Sequence, residues 1–165
     1  GYYSDVVICL YKKDFSELCQ NISKIKDSGL RRDVTSLMHH SSISIIGEQS
    51  FEGDAVVMMH WDGIKWYKIS SREIKYLMDY LQDDDHQYSF KRIGEDYYDY
   101  EEKSNDENCT LSNYALLERH FDCTEGTLLK SECLFEMINP SEPDVSDYAE
   151  MSFDDVLSGG ETIGR

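Results

Sequence analysis

The chain has 165 residues, of which 40% are hydrophobic and 12% aromatic, and its formal net charge at pH 7 is −17. This length and apolar content exclude a disordered chain and predict one folded domain, with or without an appendage. The negative charge excludes direct binding to nucleic acid, because neutralising phosphates requires Lys and Arg. It favours fast, salt-sensitive association with a basic protein.

The negative charge is concentrated in the second half of the chain. Residues 1–82 carry 11 acidic and 10 basic side chains, whereas residues 83–165 carry 22 acidic and 6 basic ones. This asymmetry predicts a near-neutral folding unit followed by an acidic working surface. We therefore divide the chain into an α+β core domain at residues 1–94 and an acidic C-terminal extension or subdomain at residues 95–165.

The first half alternates between strand and helix patterns. Apolar, β-branched runs predict strands at residues 5–11, 42–48, 54–61 and 88–93. Helical spacing predicts one helix that begins at an Asp14 cap, with Glu17 as its capping-box partner, and ends near residues 28–29. Residues 30–41 could form a short helical turn, and Ser70 or Ser71 caps a second helix.

The dipeptide Asp62-Gly63 predicts a hairpin turn into a further strand at residues 64–69. Trp61, Trp66 and Tyr67 flank this turn, and we expect them to pack the hairpin on the helices rather than to form a contact patch beside His60. The order of elements over residues 5–93 is β-α-β-β-(β)-α-β. It predicts a ferredoxin-like antiparallel sheet with two helices on one face.

The residues after Gly94 predict an acidic, partly helical extension. Residues 111–120 have helical spacing, residues 127–138 could be a helix or a strand, and residues 144–165 form a partly ordered acidic tail.

The stretch at residues 95–107, EDYYDYEEKSNDE, is the most distinctive in the chain. A run of charged residues usually forms a solvent-exposed loop without a binding role. Disordered acidic segments are poor in aromatic residues, however, whereas Tyr is enriched in interfaces. Together with the acidic cluster at residues 83–85, the stretch predicts a partner-binding surface. Its members are Asp83, Asp84, Asp85, Glu95, Asp96, Tyr97, Tyr98, Asp99, Tyr100, Glu101, Glu102, Asp106 and Glu107.

Catalytic motifs are missing from the sequence: it contains no GxSxG, P-loop, Rossmann or HExxH pattern. We therefore predict no enzyme activity, no catalytic residue and no cofactor. His39, His40 and His60 with a carboxylate could hold a metal, which leaves a small metal-dependent enzyme as an alternative. Their spacing matches no known ligand set, and the acidic stretches lack the EF-hand pattern, so we predict no metal site.

Cysteine usage and hydropathy predict a protein of the cytoplasm. The five cysteines form an odd count without a CxxC pair, which is typical of reduced thiols. The longest apolar run, residues 55–59, is too short to cross a membrane. Tyr and Met residues on helix flanks leave room for a homodimer.

Three segments carry a family resemblance: residues 2–8 (YYSDVVI), 60–67 (HWDGIKWY) and 92–96 (RIGED). In these, the first hundred residues resemble a group of small acidic proteins of double-stranded DNA phages. In charge and size the chain is similar to DNA-mimicking anti-restriction and anti-CRISPR proteins. The resemblance implies a role against host defences, transfers no catalytic residue and does not cover residues 110–165.

These observations predict an acidic, DNA-mimicking phage inhibitor that binds a basic nuclease or another DNA- or RNA-binding defence protein in the host cytoplasm. An immunity protein or antitoxin that neutralises a basic nuclease toxin would use the same electrostatics. A structural or adaptor protein whose acidity serves only solubility is a further alternative.

Overall fold

We analysed a computed structural model, which describes residues 1–47, 55–83, 85–105, 111–112 and 127–140. These residues form an α+β fold with four helices and one sheet of six strands, in which all paired strands are antiparallel. The strand order is β5-β4-β1-β3-β2-β6. The strands are β1 (Ser4–Tyr11), β2 (Ser42–Ile46), β3 (Val56–Ile64), β4 (Tyr88–Gly94), β5 (Tyr100–Ser104) and β6 (Thr127–Leu128).

Strand β1 lies at the centre of the sheet and is buried on both faces. Side chains alternate between the two faces of a strand. Val6, Ile8 and Leu10 therefore join the main hydrophobic core, while Val7 and Cys9 join a second, smaller cluster on the opposite face. Burial on both faces explains why the sequence of this strand is continuously apolar.

The four helices are α1 (Lys12–Ser23), α2 (Ser28–His39), α3 (Arg72–Leu81) and α4 (Ser131–Ile138). Apolar residues from all four belong to the main core, on the same face of the sheet. The predicted number of helices on this face, two, was therefore too low. The segment at residues 30–41, predicted as a possible short helical turn, contributes residues 30–39 to α2, and residues 127–138 contain both a short strand and α4.

The predicted limits of the first helix were wrong. Helix α1 begins at Lys12, so Asp14 lies inside its first turn rather than at the cap. The helix ends at Ser23, and Ser28 already begins α2. The Asp27 side chain accepts hydrogen bonds from the backbone N–H groups of Gly29 (3.0 Å) and Leu30 (3.1 Å). This cap stabilises a new helix start where the sequence pattern indicated an end.

The predicted hairpin at Asp62-Gly63 was also wrong. Strand β3 runs on to Ile64, and its register with β1 shifts by one residue at this point, which is a β-bulge. Gly63 has a φ of +74°, and its N–H donates to the Asp5 carboxylate at 2.8 Å. A glycine with positive φ suits both a hairpin turn and a bulge, and here the contact with Asp5 stabilises the bulge.

No strand forms over the described residues 65–69. Trp66 turns into the core, where its ring centroid lies 5.5 Å from that of Trp61 and 5.8 Å from that of Phe90. Ile69 is fully exposed. A buried Trp between two exposed residues gives the same alternation of buried and exposed positions as a strand, which is why the sequence pattern was misleading. The expectation that these rings pack in the core is confirmed for Trp61 and Trp66 and wrong for Tyr67, which is exposed. The predicted hairpin does not form.

The described segments after Gly94 belong to the same sheet and core. Strand β5 pairs with β4, β6 pairs with β2, and Leu111 is fully buried in the smaller cluster. The helix predicted at residues 111–120 lies outside the described residues apart from its first two positions. The acidic tail at residues 144–165 lies outside them entirely, and the division of the chain at Gly94 stays a prediction.

Candidate partner-binding site

Residues 95–104 of the acidic stretch form the turn and the second strand of a β-hairpin with β4, on the edge of the sheet. Strand β4 ends at Gly94, residues 95–99 form the turn, and β5 returns from Tyr100. The Gly94 N–H donates to the Asp99 carbonyl at 2.8 Å, and the Asp99 N–H donates to the Asp96 carbonyl at 3.0 Å. The Asp99 carboxylate and the Tyr2 hydroxyl occupy the space that a Cβ on residue 94 would need. Glycine at this position therefore permits the close approach of both groups.

Asp99 is the anchor of this turn. Its two carboxylate oxygens accept from the Arg92 guanidinium at 2.7 and 3.0 Å, and Oδ2 also accepts from the Tyr2 hydroxyl at 2.6 Å. The hydrogen bonds from Arg92 and Tyr2 lower the pKa of Asp99 to about 2. The Tyr2 hydroxyl in turn accepts from the Asp96 N–H at 3.0 Å. Asp99 is thus a carboxylate neutralised within the fold, not one presented to a partner.

Glu101 is also paired internally. Both of its oxygens lie 2.8 Å from Lys68 Nζ, and Oε1 lies 3.5 Å from Arg92 Nε. Burial alone would raise the pKa of Glu101, but the hydrogen bond and charge of Lys68 outweigh it and lower the pKa. Glu101 stands opposite Arg92 in the register, on the face of the sheet that carries the helices. Its position explains why its charge is neutralised.

Three carboxylates of the hairpin belong to exposed residues: Glu95, Asp96 and Glu102. Glu95 accepts from the Tyr3 N–H at 2.7 Å, and Glu102 accepts from the Tyr100 hydroxyl at 2.7 Å. Each of these bonds comes from a neutral donor and leaves the negative charge in place. Glu102 also stands opposite the buried Lys91 in the register, and the two charges interact. Glu102 and Tyr100 share the face of the sheet opposite the helices.

The tip of the turn exposes two aromatic rings. Tyr97 and Tyr98 are 77% and 92% exposed, and their ring centroids lie 5.0 Å apart in a T-shaped arrangement. Such exposure of two adjacent rings is unusual unless the rings serve an interface.

The second acidic cluster lies at the other end of β4. Asp83 and Asp85 are exposed in the connection from α3 to β4, and the Asp85 N–H donates weakly to Asp83 Oδ1 at 3.4 Å. The seven residues of β4 separate this connection from the turn, which corresponds to about 20 Å. The exposed members of the predicted site therefore lie along one edge of the sheet. We call Asp83, Asp85, Glu95, Asp96 and Glu102 the acidic edge.

Asp84, Asp106 and Glu107 complete the predicted set and lie outside the described residues. The residues that hold the hairpin in place were missed by sequence reasoning: Tyr2, Lys68 and Arg92. Tyr2 and Asp99 are 97 positions apart, and no local pattern links them. The sequence gives one signal for Arg92: it forms a basic pair with Lys91 just before the acidic stretch.

The histidines of the metal alternative do not come together. His39 faces the ring of Phe135 on α4, while the Nδ1–H of His40 donates to the Ser36 carbonyl at 2.7 Å. His40 borders a cleft of about 480 Å³ with Asp62, Lys65 and Glu73. Within the described part of the chain, no group of three or more His, Cys, Asp or Glu side chains could hold a metal ion.

The described helices are all too short or too polar to cross a membrane. Cys9, Cys19 and Cys133 are present as thiols, the first two of them buried. Comparison with protein-family models, with curated proteins and with solved structures finds no match to this chain.

Proposed function

We propose that this protein is an acidic inhibitor that binds a basic, nucleic-acid-handling protein of a host defence system, of the anti-restriction or anti-CRISPR type. It would act in the host cytoplasm, as a protein of phage origin. The observation that carries the proposal is the acidic edge: five exposed acidic residues along one side of a sheet, of which Glu95 and Glu102 are fixed by internal hydrogen bonds.

The length of the acidic edge supports mimicry of nucleic acid. Its two ends are separated by about 20 Å along β4, roughly the axial length of six base pairs of duplex DNA. A basic groove that neutralises phosphates over this distance would meet carboxylates at both ends of the edge and at Glu102 between them. Like charges at this spacing repel one another, so mimicry requires a framework that resists the repulsion.

The hairpin provides such a framework. Arg92 and Tyr2 donate hydrogen bonds to the Asp99 carboxylate, and Lys68 donates to Glu101, at distances of 2.6–3.0 Å. The hairpin end of the acidic edge therefore does not have to become ordered on binding, which reduces the entropic cost of association there. The net charge of −17 opposes direct contact with nucleic acid and favours a basic protein.

We also propose that the central strands form a ferredoxin-like unit. The order β4-β1-β3-β2, with helices between β1 and β2 and between β3 and β4, supports this assignment. In such a unit β4 is an edge strand. The addition of β5 to that edge would be the modification that creates the acidic surface.

Capture from a host lysate tests the proposal. The tagged protein should retain a basic nuclease or DNA-handling complex at low salt and release it at about 0.5 M salt, where charges are screened. The double variant Glu95→Gln/Glu102→Gln should reduce capture at least tenfold. Glutamine keeps the acceptor oxygens that Tyr3 and Tyr100 use, so the hairpin should remain intact.

A matched control separates position from total charge. Glu132→Gln/Glu136→Gln makes the same chemical change on exposed residues of α4 and should leave capture unchanged. Equal loss in both variants would mean that only net charge matters and would refute the acidic edge as the binding surface. Capture of a toxin encoded beside this protein would instead identify an immunity protein or antitoxin.

A further inference from the structure

The exposed tyrosine pair at the hairpin tip adds a feature that charge alone does not explain. Tyr97 and Tyr98 are the two most exposed rings among the described residues. Carboxylates would attract lysine and arginine about equally. A pair of solvent-facing rings beside carboxylates distinguishes between the two, because only arginine carries a planar cation.

Backbone hydrogen bonds fix the turn from which these rings project. The Gly94–Asp99 and Asp99–Asp96 backbone hydrogen bonds close the turn, and the Tyr2 hydroxyl fixes it from outside. The T-shaped packing of the rings, with an interplanar angle of 89°, directs their faces differently. The high exposure of both rings leaves ring faces open to a partner.

The rings follow two exposed acidic residues, Glu95 and Asp96, in the sequence of the same turn. A guanidinium can stack on an aromatic face while its N–H groups donate to a neighbouring carboxylate. A lysine ammonium makes a weaker contact with a ring and cannot bridge a ring and a carboxylate in a planar fork. The same surface thus offers arginine two compatible contacts.

We infer that the hairpin tip, Tyr97 and Tyr98 flanked by Glu95 and Asp96, recognises arginine side chains of the partner in preference to lysine. This inference rests on the proposed function, since it specifies the chemistry of the basic partner at the same surface. The occupant is an arginine-rich segment, which charge complementarity and ring exposure both favour.

Binding of hexa-arginine and hexa-lysine peptides to the full chain, measured by calorimetry at 0.15 M salt, tests the inference. The wild-type protein should bind hexa-arginine about five- to tenfold more tightly. Tyr97→Leu/Tyr98→Leu should reduce the ratio below about twofold and change hexa-lysine affinity by less than twofold. Tyr97→Phe/Tyr98→Phe keeps the rings and should keep the ratio.

Phe135→Leu is the control, because it removes a 52% exposed ring on α4 and should not alter the ratio. Equal binding of the two peptides by the wild type, no binding of either peptide, or an unchanged ratio in the leucine variant would each overturn the inference. The lysate experiment with Glu95→Gln/Glu102→Gln is independent of these outcomes. A retained basic partner together with equal peptide binding would refute arginine recognition and leave the proposed function standing.

Discussion

His86 should make the stability of this fold depend on pH. Its side chain is 5% exposed, Nδ1 lies 2.9 Å from the Tyr80 carbonyl oxygen, and Nε2 lies 2.9 Å from Glu17 Oε1. The two partners of the imidazole, the Tyr80 carbonyl and the Glu17 carboxylate, are both acceptors, which requires a proton on each ring nitrogen. The hydrogen-bonding pattern is that of an imidazolium.

Burial alone would lower the pKa of His86. The hydrogen bonds to Glu17 and Tyr80, together with the negative charges of Asp14 and Glu17, outweigh burial and raise the pKa. A histidine whose folded-state pKa is raised contributes stability that is fully present below its unfolded pKa, about 6.5. That contribution is lost as the pH rises through the folded-state pKa. The fold should therefore weaken on going from pH 6 to pH 9.

The magnitude follows from the geometry. A hydrogen bond between charged groups contributes about 1.5–3 kcal/mol, but the Glu17 side chain is 53% exposed, and solvent screening reduces the value. We expect about 1–2 kcal/mol. The free energy of unfolding, measured by urea titration at pH 6.0 and pH 8.5, should fall by this amount in the wild type.

Glu17→Gln is the decisive variant, because it removes the charge and keeps the shape. Its stability at pH 6.0 should be lower than that of the wild type, and its decrease between the two pH values should be smaller by about 1–2 kcal/mol. His40→Gln is the control, since His40 is exposed on the helix surface. If wild type and Glu17→Gln show the same pH dependence, the assignment of His86 as an imidazolium is wrong.

Three further predictions concern single sites. Asp99→Asn should destabilise the fold by about 1–3 kcal/mol. Because the fold lowers the pKa of Asp99 to about 2, the wild-type advantage should decline in acid titration as the pH falls from about 4 towards 2; an advantage at pH 2 as large as that at pH 7 would contradict this. The indole N–H of Trp61 donates to the Leu37 carbonyl at 2.8 Å, whereas the buried indole N–H of Trp66 has no acceptor among the described residues. Trp61→Phe should therefore lower the free energy of unfolding in urea by about 1 kcal/mol more than Trp66→Phe does. Equal losses would refute this. A Cβ at position 63 would meet no neighbouring atom, but the φ of +74° disfavours any residue except glycine. Gly63→Ala should therefore lower the free energy of unfolding by about 1 kcal/mol and Tm by about 2–4 °C. An unchanged Tm would show that the bulge does not require glycine.

Hydrophobic periodicity predicted the interior of the fold well. Strands β1 and β4 and helix α3 were found within one or two residues, because a buried face imposes its period directly on the sequence. The same reasoning failed at Asp62-Gly63 and at Gly29. Both glycines are compatible with two structures, and a distant or flanking carboxylate decides between them: Asp5 for the bulge and Asp27 for the helix start.

The candidate site was predictable in composition but not in detail. The acidic stretch was visible as a charge run, yet no pattern within it distinguishes a carboxylate used by the fold from one left to solvent. That distinction depends on Lys68 and on Tyr2, which lie 33 positions from Glu101 and 97 from Asp99. Contacts at such separations depend on strand order, and β5 was not predicted as a strand.

The pairing of β5 with β4 gives adjacent residues opposite roles. Because side chains alternate along a strand, Glu101 faces Lys68 and Arg92 on the side of the helices, while Glu102 faces outward beside Tyr100. Reversing the charge of Glu101 would place three cations together and would report on folding rather than on binding. Glu102 can change without breaking an ion pair seen in the described residues. A charge scan that treats the acidic stretch as uniform would therefore mix two effects, and only substitutions sorted by strand face can attribute a loss of inhibition to a lost partner contact.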